Sequence, residues 1–328
     1  MGVLSVDKND EVQDTSSRVE IGNVSAKENP MRELKLGKLY YEISRHNPPA
    51  LTIQAGETVS VETEDAFSGQ VRKEGDKRDK QKMPYGNPQS GPIYIDGAEK
   101  GDTLAVHIEK IEARIGQAAT RTSGTIGLAN YLGMDVPDGT RICPIRDGKI
   151  WWSDHLAVPY APMIGTIGTA PEMGVPTTGP AGAWGGNMDI KEVTEGNILY
   201  LPVYVPGALL HLGDAHAAQG DGELCTTAFE MPATIVIKVD LIKGKTIPGP
   251  RIRSSKEIMT VATGRPMELS VAQAYANLIL WMEQEYGVPR WDGVNLCTQV
   301  GSISMGFFFL GTVAAKIQVE YVKAAARH

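Results

Sequence analysis

The segment Gly207–Glu223 concentrates the side chains that most often bind metals or move protons. It reads GALLHLGDAHAAQGDGE and holds His211 and His216, two of the six histidines in the chain. Asp214 and His216 are two residues apart, so in an extended segment their side chains share one face. A carboxylate beside an imidazole is a usual ligand pair for Zn²⁺ or a similar ion. The spacing favours a metal or catalytic site, which His211 joins if the chain folds back; the alternative is a polar turn.

A second candidate segment, Gly185–Asp189, reads GGNMD. Asn187 and Asp189 share one face if this segment is extended. Asparagine offers a donor and an acceptor, whereas ionised aspartate offers acceptors only. The pair could therefore ligate a hard ion, orient a ligating histidine or hold a small polar substrate. The alternative is an Asx turn, which the same residues also favour.

A third group of acids lies at Glu62-Thr63-Glu64-Asp65. If the preceding strand alternates, Glu62 and Glu64 point to the same side and Asp65 follows at the strand exit. Three carboxylates this close repel one another unless a cation or a shared proton lies between them. The alternative is an exposed acidic edge.

These candidates must be positioned by strands, because the chain shows mostly period-2 alternation and short apolar runs. Turn signals recur about every ten residues, which is typical of a β-sandwich or barrel. The 36 glycines and 20 prolines agree with a fold rich in turns and poor in long helices. The strands predicted in this way are Leu51–Ile53, Thr58–Thr63, Thr103–Ile111, Ile198–Val205 and Ala233–Leu241.

One helix is predicted near the C-terminus. Ser270 is a good N-cap, with Gln273 in the capping-box position, and Gly287 ends the helix after Tyr286. Its apolar stripe, formed by Ala274, Leu278 and Trp281, predicts packing against the core.

Three segments lack periodicity. Residues 1–35 are polar and predict an arm or a covering strap, which leaves residues 36–328 as the main domain, in one β-rich lobe or two. Lys73–Lys82 predicts a solvated loop, with a flap over a site as the alternative. The stretch Pro159–Gly186, rich in glycine and proline, predicts a functional or lid-like segment.

Composition restricts the classes of partner. With 32 basic and 39 acidic residues the formal net charge is −7, which argues against nucleic acid as a main partner. No stretch approaches the ~18 apolar residues of a membrane span, and the first residues lack the apolar core of a secretory signal. The three distant cysteines, Cys143, Cys225 and Cys297, predict buried thiols in a reducing compartment. We therefore expect a cytoplasmic protein.

Taken together, the motifs resemble those of the acetamidase/formamidase family. The GDAHAAQGDGE run is highly specific, and its occurrence together with GGNMD by chance is implausible. The similarity covers about residues 36–245 in order, and Glu64-Asp65-Ala66 looks like the acidic strand end of the family. The other matching segments are Gly91–Ala105, Ala161–Pro171, Gly185–Asp189 and Leu201–Glu230.

The resemblance implies a mainly β, sandwich- or barrel-like hydrolase with few helices, one of them near the C-terminus. It implies cleavage of small amides to a carboxylate and ammonia, a divalent metal, and a homo-oligomer such as a dimer or tetramer. We expect Zn²⁺, with Ca²⁺ as the alternative. Asn187 is expected to donate to the developing oxyanion and Glu223 to carry the proton. The metal ligands that the resemblance implies are Asp65, Asp189, His211, Asp214 and His216.

Two departures bear on the substrate. Family members often have a histidine before GGNMD, where this chain has Ala183-Trp184, and an arginine and an acid are missing from Gly301–Phe309. Trp184 and Glu64 are expected to contact the substrate, and the bulk of Trp184 favours a larger or cyclic amide over acetamide. The rival hypothesis is a non-catalytic β-domain that binds Ca²⁺ for structural purposes.

Overall fold

The computed structural model describes residues 31–83, 85–122, 131–134, 137 and 139–326. The predicted N-terminal arm therefore lies mostly outside the described residues. The strands, in chain order, are β1 Arg32–Leu34, β2 Leu51–Ile53, β3 Thr58–Glu62, β4 Gln89–Ile95, β5 Thr103–Ala113, β6 Gln117–Thr122, β7 Gly139–Arg146, β8 Lys149–Ser153, β9 Leu156–Pro159, β10 Met163–Gly168, β11 Ala181–Gly182, β12 Gly185–Asn187, β13 Ile198–Pro202, β14 Leu210–His216, β15 Glu230–Met231, β16 Ala233–Ile242, β17 Arg251–Arg253, β18 Glu257–Thr263, β19 Ser302–Met305 and β20 Thr312–Gln318.

The described helices lie near the C-terminus. They are α1 Met267–Trp281, α2 Arg290–Val300 and α3 Val319–Ala325, with a π-helical turn at Met282–Tyr286 and a 3₁₀ turn at Phe308–Leu310. None of the described helices combines the length and the apolar character that a membrane crossing requires. The prediction of a mainly β protein with few helices, one near the C-terminus, is confirmed.

Two large sheets form the body of the protein. The first has the order β1-β3-β16-β5-β13-β17-β18-β20-β19. The second follows β11-β12-β10-β14-β15-β6-β7-β8-β9, and β4 adds to it by pairing with both β14 and β2. One cluster of buried side chains joins the sheets, with Val61 and Ile235 from the first and Ile164 and Leu212 from the second. This shared apolar core gives the sandwich-like packing that the turn spacing predicts.

Alternation explains which strands the sequence predicts well. In β16 every second residue from Ala233 to Val239 is buried, because one face of this strand meets the core. Strand β10 is different, since all six of its residues are buried. The prediction of an irregular, lid-like segment over Pro159–Gly186 is wrong there, because a strand covered on both faces has no polar face and so no period.

The start of the predicted helix is also wrong. Helix α1 begins at Met267 with Pro266 in the N-cap position, and Ser270 lies buried within the helix. The Ser270 hydroxyl donates to the carbonyl oxygen of Gly264 at 2.9 Å, so a tertiary contact uses the group that would have capped the helix. The predicted end is confirmed, because Gly287, at φ 73°, follows the π-helical turn.

All three cysteines are unpaired. Cys143 and Cys297 are buried as predicted, but Cys225 is half-buried, so the prediction of three buried thiols is wrong for that residue. Burial raises the pKa of the Cys143 and Cys297 thiols to about 11 in each case. Both thiols are therefore protonated and unreactive at neutral pH.

The hydrogen bonds of Asp102 connect loops of the first sheet, and a substitution there tests how much they stabilise the fold. Its carboxylate is 3% exposed and accepts from the backbone N–H groups of Glu99 and Gly244 at 2.8 and 2.7 Å and from Lys243 Nζ at 2.7 Å. We expect Asp102→Asn to lower the free energy of unfolding by about 2 kcal/mol at pH 7, because the amide presents N–H groups to these donors. Urea unfolding at pH 7 measures this loss.

The effect depends on pH with a definite sign. Burial opposes ionisation of Asp102, but Lys243 and the two backbone amides outweigh burial and place its pKa below the ordinary value. The stabilisation is therefore complete above the unfolded-state pKa of about 3.9 and is lost as the pH falls through the folded-state pKa. The exposed Asp96 provides the control: Asp96→Asn should change stability by less than about 0.5 kcal/mol. A difference between wild type and Asp102→Asn that grows toward pH 3 would contradict this account.

Candidate active site

Four neighbouring strands of the second sheet bring the candidate residues together. Strand β14 carries Asp214 and His216 and pairs with β10 on one side and with β4 and β15 on the other. The register places His216 directly opposite Glu230 of β15. On the far side of β10, β12 ends at Asn187, two residues before Asp189. The sheet thus gathers residues that are distant in the sequence.

Five buried side chains form what we call the carboxylate–histidine cluster: Asp189, Asp214, His216, Glu223 and Glu230. Ligand atoms of Asp189, Asp214 and His216 all lie within 4.8 Å of one another, and the same holds for His216, Glu223 and Glu230. His216 belongs to both groups. Each group has the size and the donor types of a divalent metal site.

Gln219 fixes the orientation of the His216 ring. His216 Nδ1 lies 2.9 Å from Gln219 Oε1, and the amide nitrogen of the same glutamine donates to the backbone oxygen of Asp189 at 2.6 Å. An amide oxygen can only accept, so Nδ1 carries the proton. Nε2 then faces Asp214 Oδ1 at 3.4 Å and Glu230 Oε2 at 3.3 Å. A ligating histidine held through its other nitrogen is a usual arrangement at metal sites.

Burial and crowding shift the pKa values of the cluster. Burial raises the pKa of Asp189 well above its ordinary value, and the Asp214 carboxylate raises it further. Burial and the neighbouring Asp189 do the same for Glu223, and burial raises the pKa of Glu230 to about 7. Burial opposes the His216 cation, but Glu230 and Asp214 outweigh it and raise the pKa of His216. Either protons or a cation must neutralise this concentration of carboxylates.

Asp189 is the member whose charge is least compensated. It is buried, and neither of its carboxylate oxygens accepts a hydrogen bond from a described N–H or hydroxyl group. A buried carboxylate without such partners carries a large desolvation penalty. A proton shared with the adjacent Glu223 or a cation in the cluster would remove the penalty, so these residues fit a divalent ion.

Gly165 of β10 makes room for the two aspartates. A Cβ atom at this position would lie 2.6 Å from Asp189 Oδ1 and 2.9 Å from Asp214 Oδ2 and from the Asp214 backbone oxygen. The absence of a side chain therefore allows both carboxylates to approach the strand. Gly165 is a structural requirement of the cluster.

The backbone is strained at three of the five cluster residues. Asp189, Asp214 and Glu223 have φ angles of 51°, 58° and 44°, in the left-handed region that few residues other than glycine adopt. Each such residue costs of order 1 kcal/mol and persists only where its surroundings impose the conformation. This strain directs three carboxylates toward the same place, as expected for a functional site.

Asn187 lies beside the cluster with its amide orientation fixed. Its Oδ1 accepts from Asn87 Nδ2 at 2.8 Å and lies 2.6 Å from the hydroxyl of Thr166, which is also 2.9 Å from Asp214 Oδ2. The N–H groups of its side-chain amide donate to none of the described residues. Because Asn187 also lines the adjoining cavity, these N–H groups are available to a bound oxygen atom.

The cluster opens into a cavity of about 340 Å³. This volume is at the lower end of the range of about 300–1,000 Å³ that is typical of small-molecule sites. Four cluster residues line it, all except His216. The remaining lining residues include Asn87, Asn187, Phe67, Phe307, Arg78, Lys80 and Arg121.

Two other predicted ligands, Asp65 and His211, lie in neither metal group of the described residues. Asp65 pairs with Arg72 and accepts from the backbone N–H of Phe67 at 2.9 Å. His211 Nδ1 donates to the oxygen of Leu209 at 2.9 Å, and its Nε2 accepts from Asn47 Nδ2 at 3.1 Å. Burial lowers the pKa of His211 to about 4, so the ring is neutral and both nitrogens are already bonded.

The predicted substrate contacts, Trp184 and Glu64, are not among the residues that line the cavity. The Trp184 ring packs on Gly182, where a Cβ atom would lie 2.3 Å from Cζ3. Glu64 forms an ion pair with Arg72 at 2.8 Å. Neither side chain is therefore placed for contact with a ligand in this cavity.

Sequence reasoning missed Glu230, Gln219, Gly165, Thr166 and Asn87. Glu230 is the last residue of the matching segment Leu201–Glu230, which contains GDAHAAQGDGE. The signal that could have identified it is an acidic residue at the start of a strand. Its position opposite His216 depends on strand register, which spacing along the chain does not give. Gly165 and Thr166 had no signal, since a buried strand without alternation hides which residues face a site.

Comparison with known proteins places these features in one family. A family model described as the acetamidase/formamidase family matches residues 42–178 and 165–275. An acetamidase of Yersinia enterocolitica with a solved structure is 36% identical, with a TM-score of 0.84 over 90% of this chain and 94% of that chain. An acetamidase from Bacillus halodurans is 30% identical, with a TM-score of 0.83 over 89% and 99%.

A curated relative, the acetamidase of Mycolicibacterium smegmatis, is 29% identical over an alignment of 265 residues that covers 60% of this chain. The chain thus spans 64% of that protein, somewhat less than two thirds of its length.

Proposed function

This chain belongs to the acetamidase/formamidase family, and on that premise we propose that it is a hydrolase that cleaves the C–N bond of a small amide to a carboxylate and ammonia or an amine. The observation that carries the proposal is the carboxylate–histidine cluster at the wall of a closed-in cavity. Strained backbone, a buried Asp189 that accepts no hydrogen bond from a described N–H or hydroxyl group, and an oriented histidine occur together there. Their combination is typical of a reaction centre rather than of a structural turn.

We propose that Asp189, Asp214 and His216 hold a divalent ion. A bound divalent ion acts as a Lewis acid, which polarises a carbonyl group and makes water more acidic. The imidazole among the donors favours Zn²⁺ or a similar transition ion over Ca²⁺, which prefers six to eight oxygen ligands. Asp65 and His211, both engaged with other groups, are left outside this ligand set.

The remaining side chains have separate roles in the proposal. Glu223 takes the proton of the attacking water and returns it to the leaving nitrogen, a role that suits a carboxyl group whose pKa burial raises. Asn187 donates its free N–H to the carbonyl oxygen as negative charge develops there. Glu230 Oε2 lies 3.3 Å from His216 Nε2 and would face the same ion. Thr166 and Asn87 keep the Asn187 amide turned so that its donors face the cavity.

We also propose a cytoplasmic homo-oligomer. The unpaired thiols suit a reducing compartment. Several large apolar side chains on the C-terminal part are exposed and could form a subunit contact, which light scattering of the purified protein would test. They are Leu269, Trp291, Ile303 and Phe309.

Removal of the metal tests the proposed function. We expect the purified protein to release ammonia from at least one member of a panel of short linear amides and lactams. Treatment with a chelator should lower that rate by about 100-fold or more, the equivalent of about 2.7 kcal/mol of barrier, and Zn²⁺ should restore it. Ammonia release and elemental analysis of the same samples give the two readouts.

The outcomes separate the alternatives. Full activity in a sample shown by elemental analysis to be metal-free would contradict metal dependence while leaving amide hydrolysis intact. Tightly bound Ca²⁺ without turnover of any amide in the panel would instead favour a structural ion in a non-catalytic β-domain.

A further inference from the structure

Arg78 lines the cavity of the candidate site and forms no ion pair with any residue that the structure describes. It lies in the irregular segment Lys73–Lys82, is half-buried and lines the same cavity as the carboxylate–histidine cluster. Its Nε is buried and has no hydrogen-bond partner. Among the residues that the structure describes, no carboxylate lies within ion-pair distance of its guanidinium. A buried guanidinium donor without an acceptor is costly to maintain.

The surroundings of Arg78 add to this cost. Burial lowers the pKa of its guanidinium, and the neighbouring guanidinium of Arg121 lowers it further. The other ionisable group that acts on it is the phenol of Tyr41. An anion bound against Arg78 would offset this cost. The arrangement suits a bound anion.

The cavity wall leaves space for the guanidinium of Arg78. Gly86 also lines the cavity, and a Cβ atom there would come within 3.2 Å of Arg78 Nη1, so the glycine leaves the space that the side chain occupies. Lys80 adds a third cation to the lining. The salt bridges found among the described residues include none between Arg78 or Lys80 and the carboxylate–histidine cluster.

We propose that the substrate is a small amide that carries a carboxylate, and that Arg78 binds this carboxylate. The inference deepens the proposed function and rests on it for the hydrolytic step. The guanidinium plane matches a carboxylate through two parallel hydrogen bonds.

The charges of the cavity also set the orientation of such a substrate. The cluster carboxylates repel an anionic group, whereas a neutral amide can approach them. The anionic end therefore lies against Arg78, and the amide end reaches Asn187 and Glu223. A neutral amide such as acetamide leaves the guanidinium without an acceptor, so it forgoes this part of the binding free energy.

Arg78→Gln tests the proposal with two substrates of the same shape. Succinamate carries a carboxylate where 4-oxopentanamide carries a neutral methyl ketone. We expect wild type to have a kcat/KM at least about tenfold higher for succinamate. In Arg78→Gln the ratio of the two kcat/KM values should fall by about 10- to 100-fold, mainly through the KM of succinamate, and Arg78→Lys should give an intermediate ratio.

Lys73→Gln is the matched control, because it removes the same charge from an exposed position of the same segment outside the cavity lining. Its ratio should stay within about twofold of wild type. An equal loss in Lys73→Gln would show a general effect of net charge and overturn the proposal. So would a ratio that Arg78→Gln leaves unchanged, or a wild-type preference for the neutral amide.

Calorimetry measures the affinity for succinamate, so it tests the anion site without requiring turnover. If wild type binds succinamate at least about tenfold more tightly than Arg78→Gln does and hydrolyses no amide, the anion site stands and the proposed hydrolysis fails. If wild type hydrolyses neutral amides but binds succinamate no better than Arg78→Gln does, the hydrolase stands and the anion site fails.

Discussion

If the proposed function holds, we expect His216→Ala to lose both the metal ion and amide hydrolysis, with a fall in kcat/KM of about 1,000-fold or more. His216 is the residue shared by the two groups of candidate ligands, and it is the only imidazole in the carboxylate–histidine cluster. Its removal leaves Asp214 and Glu230 without the one positive partner that faces both. Elemental analysis and ammonia release measure the two losses.

His155→Ala is the control for this variant, because His155 is exposed and offers only its backbone to a hydrogen bond. It should retain the metal content and activity of wild type. His216→Asn, which keeps a polar side chain in the buried position, serves if His216→Ala fails to fold. Undiminished activity in either folded, metal-free variant would falsify the proposed role.

Gly165→Ala is expected to lower kcat by about 100-fold, although the residue itself has no chemistry. The added Cβ would stand 2.6 Å from Asp189 Oδ1 and 2.9 Å from Asp214 Oδ2, closer than such atoms can approach. At least one carboxylate must then move, and a displacement of about 1 Å in a reaction centre can cost about 10²-fold. We also expect about 1–3 kcal/mol of lost stability from overpacking. Steady-state kinetics and urea unfolding give the two values.

Gly116→Ala is a suitable control for the same substitution. Gly116 is exposed, its φ is not in the left-handed region, and an added Cβ meets only the Ile145 backbone oxygen at an ordinary 3.8 Å. Its kinetics should match wild type. If Gly165→Ala folded stably with wild-type kcat and metal affinity, the close approach of the two aspartates would have no functional importance.

These two predictions follow from one feature of the site, the accumulation of buried negative charge. Asp189 and Glu223 are held in left-handed backbone conformations against both electrostatic repulsion and steric strain. Such an arrangement lowers the free energy of unfolding, and a bound cation would restore part of that loss.

The sequence by itself determined the local relations within the site. Asp214 and His216 had to share a face once the segment was extended, because side chains of a strand alternate by covalent geometry. The same alternation predicted β16, where one face is buried. It failed at β10, which is buried on both faces and hides Gly165 and Thr166.

Relations between distant segments were decided only by the tertiary structure. Strand register placed Glu230 opposite His216, and Asn47, 164 residues away along the chain, occupies Nε2 of His211. The isolation of Arg78 from every described carboxylate is likewise a property of packing. Residue spacing determines geometry over a few residues only. The partners of a side chain across a sheet depend on which strands pair and in which register. The chemistry of a side chain is therefore known only when its neighbours in the folded protein are known.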